Sequence, residues 1–266
     1  MPRPRPFVLS TEQISKETAF YSIGFLTISF KGTVEEAVCA GSGSLVTVGS
    51  SYGILTAAHV IEALPKAGEV GLVVGIEDPS KFQRQTIRME HTDCVTLREV
   101  TNPEVGPDLA FLRLPEETVG WLKAQRSFYN VLKRQLDVLN QKETTESHVD
   151  VIIGIIHELT TDVPSEKRFV RRQQFTAIFG GAKLGVMRYL KGYDIFYYEP
   201  TKDFGFELPK SFQGTSGAIW RFYVKEENNQ INVVDRRLIG IPYYEDITPR
   251  GTREIVCHGP KASMTR

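Results

Sequence analysis

The stretch that decides the fold is Ser211–Phe212–Gln213–Gly214–Thr215–Ser216–Gly217–Ala218, in which a serine stands between glycines just ahead of an apolar run. Gly214 and Gly217 can adopt backbone angles that a side chain resists, so successive backbone N–H groups can converge near the Ser216 hydroxyl. A hydroxyl beside two such donors can attack a carbonyl group and then stabilise the oxyanion. Serine and glycine also cluster in ordinary turns, so the motif alone leaves both interpretations open.

A serine nucleophile needs a base, and the base needs an orienting carboxylate. Of the 5 histidines, His59 follows a β-like run and the small residues Thr56–Ala57–Ala58, and a short helical run comes after it. Asp108 begins an almost entirely apolar strand, which places its carboxylate at the edge of a core. A buried carboxylate needs a polar partner, and an imidazole N–H is a suitable one.

Three blocks resemble the signature blocks of trypsin-like (chymotrypsin-fold) serine proteases: Thr56–Ala57–Ala58–His59, Asp108–Leu109–Ala110–Phe111–Leu112 and Gly214–Thr215–Ser216–Gly217. Their order along the chain, His, Asp, Ser, is that of the family, whereas other folds with the same triad use other orders. The resemblance covers residues 18–256, and the three blocks are specific only when taken together. It implies an all-β fold of two six-stranded antiparallel β-barrels, with the active site in the cleft between them.

The resemblance also implies a role for each residue. His59 takes the proton of Ser216 and returns it to the leaving amine, while Asp108 holds the imidazole. The backbone N–H groups of Gly214 and Ser216 form the oxyanion hole. The expected reaction is hydrolysis of a peptide bond in a protein or peptide substrate through an acyl-enzyme, and it requires no metal and no cofactor.

Thr215 departs from the digestive-type members of the family, in which an aspartate precedes the nucleophile and pairs with a newly cut N-terminus. Activation by that route is not expected without the carboxylate. We predict control by a partner or by ordering of a loop instead.

The substrate pocket follows only if the loop aligns with the family without gaps. Lys210, six residues before Ser216, then lies at the pocket floor and favours an acidic P1 side chain by charge complementarity. Gly251 falls on the pocket wall, and the strand Pro242–Tyr243–Tyr244–Glu245 pairs with the substrate backbone. The alternative is that Lys210 points to solvent and other residues line the pocket.

Short β-like runs occur throughout the chain and predict a barrel or a sandwich. They are Phe20–Phe30, Ala37–Val48, Gly53–Thr56, Val70–Ile76, Gln85–Met89, Cys94–Val100, Asp108–Leu114, Val149–Ile156, Gln174–Phe179, Lys183–Leu190, Asp194–Tyr198, Gly217–Tyr223, Val233–Pro242 and Arg253–Cys257. Gly41 and Gly43 suggest a bulge or a close backbone approach. The resemblance divides the chain into barrels at 18–115 and 148–257, a flexible lead-in at 1–17 and a tail at 258–266.

The segment between the barrels, 116–147, breaks the β pattern. Apolar residues recur there at helical spacing with no intervening proline, namely Leu122, Tyr129, Leu132, Leu136 and Leu139. We predict one long inserted helix. Its apolar stripe either packs on the barrels, which we favour, or makes residues 116–142 a docking surface for an activating or docking protein.

Composition narrows the function further. Lys+Arg and Asp+Glu are both 32, so the net charge is zero and a nucleic-acid partner is not expected. No apolar run approaches the roughly 20 residues that cross a membrane. The N-terminus lacks the apolar segment of a secretory signal, and the 3 cysteines are too few for a disulfide framework. We therefore expect a cytoplasmic protein.

Two other functions stay open. One is a catalytically silent trypsin-fold module that binds proteins. The weaker one is an esterase, whose nucleophile elbow requires the chain order serine, acid, histidine. We assign no site role to Ser42 and Ser44, which come too early for this triad order, or to His258, which is expected to lie in the tail.

Overall fold

The computed structural model is built mainly from two curled antiparallel β-sheets, which confirms the prediction of a mainly β protein. It describes residues 17, 19–32, 34–74, 85–98, 106–134, 147–156, 158, 176–179, 183–184, 188–190, 193–200, 208–227, 230–247, 249 and 251–260. Within these ranges no helix has the length and apolar character that a membrane crossing requires. The predicted lead-in lies outside them except for Glu17, which pairs with Arg236.

The first sheet comes from the first half of the chain. Its strands are β1 Ser22–Lys31, β2 Val34–Val48, β3 Ser51–Thr56, β4 Glu69–Val74, β5 Gln85–Arg88, β6 Asp93–Arg98, β7 Asp108–Arg113 and β8 Tyr129–Asn130. They are ordered β5-β4-β1-β2-β3-β7-β6, and β8 lies beside β2. Helix α1, Ala58–Glu62, follows β3, so the end of that strand leads directly to His59.

The second sheet comes from the second half. Its strands are β9 Ser147–Gly154, β10 Thr176–Phe179, β11 Lys183–Leu184, β12 Arg188–Leu190, β13 Tyr193–Glu199, β14 Ala218–Glu227, β15 Gln230–Ile247 and β16 Arg253–His258. They are ordered β10-β9-β14-β15-β16-β13-β11, with β12 beside β13. The long strand β15 pairs with β14 along its first part and with β16 along its last part, which curls the sheet.

Each sheet therefore holds eight described strands, and the expectation of six in each is wrong. The additional strands are short, such as β8, β11 and β12, and they lie beside the longer ones. The predicted runs overlap the observed strands, but β15 continues to Ile247, past the predicted end at Pro242. The run predicted at 183–190 holds two strands, β11 and β12, and β8 was not predicted.

A bulge near Gly41 brings helix α1 close to the first sheet. The register of β1 and β2 shifts between Phe25 and Leu26, opposite Gly41. Gly41 has a φ of 146°, and a Cβ there would lie 2.7 Å from a methyl carbon of Val60. A Cβ at Gly43 would overlap Ile54. The predicted bulge and close approach are both confirmed, and they seat the helix that carries His59.

An apolar cluster joins the two sheets beneath the site. Fully buried Trp220 is its largest member, and burial of such a side chain stabilises the fold by about 1.5–3 kcal/mol or more. The cluster takes residues from both halves of the chain, among them Val46, Leu55, Leu109, Val151, Ile153, Ala218, Trp220 and Phe222. The two sheets therefore share one core, so groups on facing strands have fixed relative positions.

The single long helix predicted between the sheets is wrong over the part of the segment that is described. Helix α2, Glu116–Lys123, has 8 residues, and Tyr129–Asn130 then pairs with β2 as a short parallel strand. Tertiary packing overrides the helical spacing, because the Tyr129 ring packs edge-on against Trp220 at 5.2 Å. Leu122 and Tyr129 are buried as expected, whereas Leu132 is exposed. Residues 135–146, with Leu136 and Leu139, lie outside the described part.

Candidate active site

The predicted triad residues meet where the two sheets face each other. His59 Nδ1 lies 2.8 Å from Asp108 Oδ2, and the His59 backbone N–H donates to Asp108 Oδ1 at 2.8 Å. Ser216 Oγ lies 3.4 Å from His59 Nε2. That last distance is longer than a strong hydrogen bond, as is common in such sites before substrate binds. The imidazole thus bridges an alcohol and a carboxylate.

Local structure explains how His59 is presented. The extended residue Ala57 ends the β3 segment, and α1 begins directly after it. Ala58 and Val60 are buried on the inner side of the helix, while the His59 side chain is 38% exposed. Small residues before the histidine let the helix pack closely, and the imidazole lies between Asp108 of β7 and Ser216, two residues before β14.

Asp108 is the first residue of β7 and is almost fully buried. Burial alone would raise the pKa of the Asp108 carboxyl, but the hydrogen bonds and charge of His59, together with the charge of Arg98, lower it overall. The Asp108 carboxylate is therefore ionised at neutral pH and can accept a hydrogen bond from the Nδ1–H of His59. With Nδ1 directed at the carboxylate, Nε2 of His59 faces Ser216.

Sequence reasoning missed His258, which is the last residue of β16 and not part of a tail. It is fully buried, and its Nε2 accepts the Asp108 backbone N–H at 2.8 Å. Its ring stacks on Tyr243 with centroids 4.2 Å apart. Burial lowers the pKa of His258 to about 4 against the opposing effect of Asp108, so the ring is neutral and can accept. The available signal was the apolar run Ile255–Val256–Cys257, which continues into it.

The loop of residues 211–217, which carries the proposed nucleophile Ser216, is called the nucleophile loop. It has the left-handed turn that the sequence predicts at Gly214, where φ is 98°. Gly217 has no such angle, so the expectation of unusual backbone freedom there is wrong. A glycine is needed at Gly217 for space, since a Cβ would lie 2.8 Å from the Ile153 carbonyl oxygen. The N–H and hydroxyl of Thr215 both donate to the Phe212 carbonyl, at 3.1 and 2.7 Å. Thr215 therefore closes the loop internally.

Three hydroxyls of the first sheet lie against carbonyl groups of this loop, although the Thr56 hydroxyl lies closer to the Ser42 carbonyl, to which it donates at 2.7 Å. Ser42 Oγ donates to the Gly214 carbonyl. Ser44 Oγ donates to the Gly217 carbonyl at 3.0 Å, and Thr56 Oγ1 lies 3.3 Å from the Ser216 carbonyl. Sequence reasoning missed Ser42 and Ser44, although their alternate spacing on one strand puts both on the same face.

The two proposed oxyanion donors are available. No acceptor for the N–H of Gly214 or of Ser216 is found among the residues that the structure describes. In the same part of the chain, no group of three or more His, Cys, Asp or Glu side chains is arranged to hold a metal ion.

The predicted substrate residues fall around the entrance to the nucleophile loop. Lys210 is exposed, and its backbone N–H donates to Glu158 Oε2 at 2.6 Å. The Glu245 carboxylate pairs with Arg253 and accepts the Phe212 N–H at 3.1 Å, so its side chain braces the loop.

The other predicted substrate residues lie on or beside the same sheet. Tyr243 is buried against His258, and Tyr244 is half-buried at an irregularity where β15 pairs with β16. Gly251 is exposed, with a φ of 75°. The backbone and pocket roles of all these residues remain predictions.

No protein-family model matches the chain, and a search of curated proteins finds no match either. The assignment of the site therefore depends on the identity of the residues and on their geometry.

Proposed function

We propose that the protein is a serine endopeptidase that hydrolyses protein substrates through an acyl-enzyme. One observation carries the proposal. Side chains from distant parts of the chain form a continuous contact from Ser216 through His59 to Asp108, with separations of 3.4 and 2.8 Å. A partly exposed imidazole between a buried hydroxyl and a buried carboxylate is the arrangement that activates a serine.

In the acylation step His59 Nε2 accepts the Ser216 hydroxyl proton while Oγ attacks the peptide carbonyl carbon. The developing oxyanion receives hydrogen bonds from the N–H groups of Gly214 and Ser216. In characterised enzymes one such donor is worth about 2.7–4 kcal/mol of transition-state stabilisation. The imidazolium then protonates the leaving amine, and the acyl group stays on Ser216.

In the deacylation step His59 takes a proton from water, and the hydroxide attacks the acyl carbon. Collapse of the second oxyanion releases the carboxylic acid, and the proton returns to Ser216 Oγ. Asp108 stabilises the imidazolium in both steps and keeps its carboxylate ionised throughout.

Control is proposed to act through a partner or through ordering of the nucleophile loop, not through a new N-terminus. Thr215 has no carboxylate to pair with an N-terminal ammonium, and its hydroxyl already donates to Phe212. Glu158 and Glu245 accept backbone N–H groups at the start of the nucleophile loop. Loss of these hydrogen bonds would shift the positions of the oxyanion donors.

The test compares wild type with Ser216→Ala, with Ser50→Ala as a control at an exposed serine. Each variant is incubated with a cell proteome, and new N-termini are identified by mass spectrometry. We expect a set of new N-termini from wild type and Ser50→Ala that Ser216→Ala does not produce. Identical sets from all three proteins would contradict the proposal and favour a silent binding module.

The same experiment reads the residue at P1. The position predicted for Lys210 leads us to expect cleavage after Glu or Asp. Fluorogenic peptides that differ only at P1 provide the quantitative comparison, and equal or faster cleavage after Arg would remove the assignment of Lys210 to the pocket.

A further inference from the structure

We propose that Ser42 is a positioning residue of the oxyanion hole. Its hydroxyl fixes the peptide unit between Gly214 and Thr215, and the two proposed oxyanion donors flank that unit. The inference rests on the proposed function, and it assigns a role to a residue outside the triad.

The hydrogen bonds of Ser42 define the direction of its hydroxyl. Ser42 is fully buried on β2, and its Oγ accepts the Ile155 backbone N–H at 3.3 Å. The same oxygen contacts the Gly214 carbonyl. A hydroxyl has one proton to donate, and a carbonyl oxygen can only accept. The proton of Ser42 therefore points to Gly214.

The peptide unit that Ser42 contacts is held at both ends. The Gly214 carbonyl belongs to the same plane as the Thr215 N–H, which donates to the Phe212 carbonyl at 3.1 Å. With both groups bound, this plane cannot rotate without losing two hydrogen bonds. The N–H of Gly214 lies just before this peptide plane along the chain, and the N–H of Ser216 lies just after it. The orientation of the plane therefore sets the directions of both N–H groups.

A constraint is needed at this point because glycine adopts left-handed and right-handed angles with similar ease. Gly214 has a φ of 98°, and as a glycine it has no side chain that would favour this angle over others. The hydrogen bond from Ser42, on the opposite sheet, stabilises the backbone conformation that Gly214 adopts. Proper orientation of the oxyanion donors thus depends on the docking of the two sheets.

The surroundings leave no room for larger groups. A Cβ at Gly154 would lie 2.6 Å from the Gly214 carbonyl oxygen and 2.7 Å from Ser42 Oγ. A Cβ at Gly217 would lie 3.3 Å from Ser42 Cβ. Two glycines therefore enclose the contact, and the loop carbonyl approaches the hydroxyl closely.

Ser44 is the matched control. It lies two residues further along β2, is also fully buried, and also donates to a carbonyl of the nucleophile loop, that of Gly217. Replacement of Ser44 by alanine removes one buried hydrogen bond between the sheets, whereas replacement of Ser42 removes two, to the Gly214 carbonyl and from the Ile155 N–H. Only Ser42 contacts the peptide unit between the oxyanion donors. A purely structural role predicts that the loss of kcat in each variant follows its loss of stability, and a positioning role predicts a loss of kcat in Ser42→Ala well beyond that proportion.

The experiment measures kcat and KM of wild type, Ser42→Ala and Ser44→Ala on one peptide substrate, together with the midpoint of thermal unfolding. We expect kcat of Ser42→Ala to fall by about 10-fold to 100-fold with KM nearly unchanged, a fraction of the 10²–10³ lost with a whole donor. Ser44→Ala should lose less than about 3-fold in kcat, with a shift in unfolding temperature about half that of Ser42→Ala, since it loses one hydrogen bond and not two.

The outcomes separate the inference from the proposed function. Equal losses of kcat in both variants would overturn the inference alone. A wild-type protein with no turnover and no reaction of Ser216 with a fluorophosphonate would overturn the proposed function and the inference with it. If Ser42→Ala does not fold, Ser42→Cys, which keeps a weak donor, takes its place against Ser44→Cys with the same expected order of kcat.

Discussion

Two buried aspartates of similar exposure have different surroundings. Asp108 accepts hydrogen bonds from the ring and the backbone N–H of His59, both at 2.8 Å. Asp150 accepts two from Arg221, at 2.7 and 2.8 Å, across the paired strands β9 and β14. Both carboxylates are paired and desolvated, so burial and pairing alone do not mark a catalytic group.

The two carboxylates differ in the basic side chain that pairs with each of them. The side chain of Arg221 is only 17% exposed. Burial would lower the pKa of Arg221, but the hydrogen bonds and charge of Asp150 raise it overall, so the guanidinium stays charged. The His59 side chain is 38% exposed, and its second ring nitrogen faces a hydroxyl. We infer that Asp150 stabilises the sheet, whereas Asp108 prepares a base.

The largest effect is expected on removal of the base. His59→Ala should lower kcat by on the order of 10⁶-fold, the loss seen when the histidine of a characterised triad is removed. The free energy of unfolding should also fall, by about 1–3 kcal/mol, because the buried Asp108 carboxylate loses its side-chain partner. Steady-state kinetics and urea denaturation measure the two quantities. A loss below about 100-fold would contradict the assignment of His59 as the base.

Asp108→Asn should come next, with a loss of about 10⁴-fold in kcat, because the amide can donate to Nδ1 and hold the wrong tautomer. Its size is close to that of the aspartate, so KM should change little. The matched variant is Asp150→Asn, for which we expect kcat within about 3-fold of wild type, since Asp150 pairs with Arg221 and not with the triad. Similar losses of kcat in the two variants would contradict the division of roles.

Stability should show the reverse order. Asp150→Ala leaves Arg221 without its carboxylate, and such a change costs about 3–5 kcal/mol of unfolding free energy. The double variant Asp150→Leu/Arg221→Met should recover most of that loss, because apolar side chains of similar size often replace a buried pair without cost. Urea denaturation provides the measurement. A double variant as unstable as Asp150→Ala would show that the pair has a further structural role.

The smallest effect concerns pH. The pKa of His258 is lowered to about 4, so the unfolded chain binds its proton first as the pH falls. Its contribution to stability is fully present above its unfolded pKa of about 6.5 and is lost between pH 6.5 and 4, a change of about 3 kcal/mol. The depressed pKa of Asp108 acts in the same direction but only below its unfolded value of about 3.9.

Urea denaturation of wild type and His258→Gln between pH 7 and 4 tests this effect. Glutamine can still accept the Asp108 N–H but does not titrate. Burial also lowers the pKa of His148, so both proteins should carry His148→Gln. We expect the slope of stability against pH to become flatter in His258→Gln. An unchanged slope would place the titration elsewhere.

The sequence predicted most of the strands, and the three side chains of its motifs lie close together in the structure, because apolar runs and short motifs are local. It failed where the partner is distant. Ser42 contacts a carbonyl 172 residues away, and His258 accepts an N–H 150 residues away. The residues beside Ser42 and His258 do not identify the partner of either contact, although the apolar run before His258 indicates that it is buried.

The prediction of one long inserted helix was wrong for a related reason. The spacing of Leu122 and Tyr129 fits a helix, but the Tyr129 ring packs against Trp220, a residue of the second sheet. A short strand beside β2 presents the ring there, and a continued helix would not. Local periodicity carries no information on that requirement.

The most direct test of the account is reaction with a fluorophosphonate followed by localisation of the adduct by tandem mass spectrometry. We predict a single phosphonylated residue, Ser216, in wild type and in Asp150→Asn, and a rate slowed by at least about 10³-fold in His59→Ala. An unmodified Ser216 in wild type, or an equal rate in His59→Ala, would contradict the claim that His59 and Asp108 activate this serine.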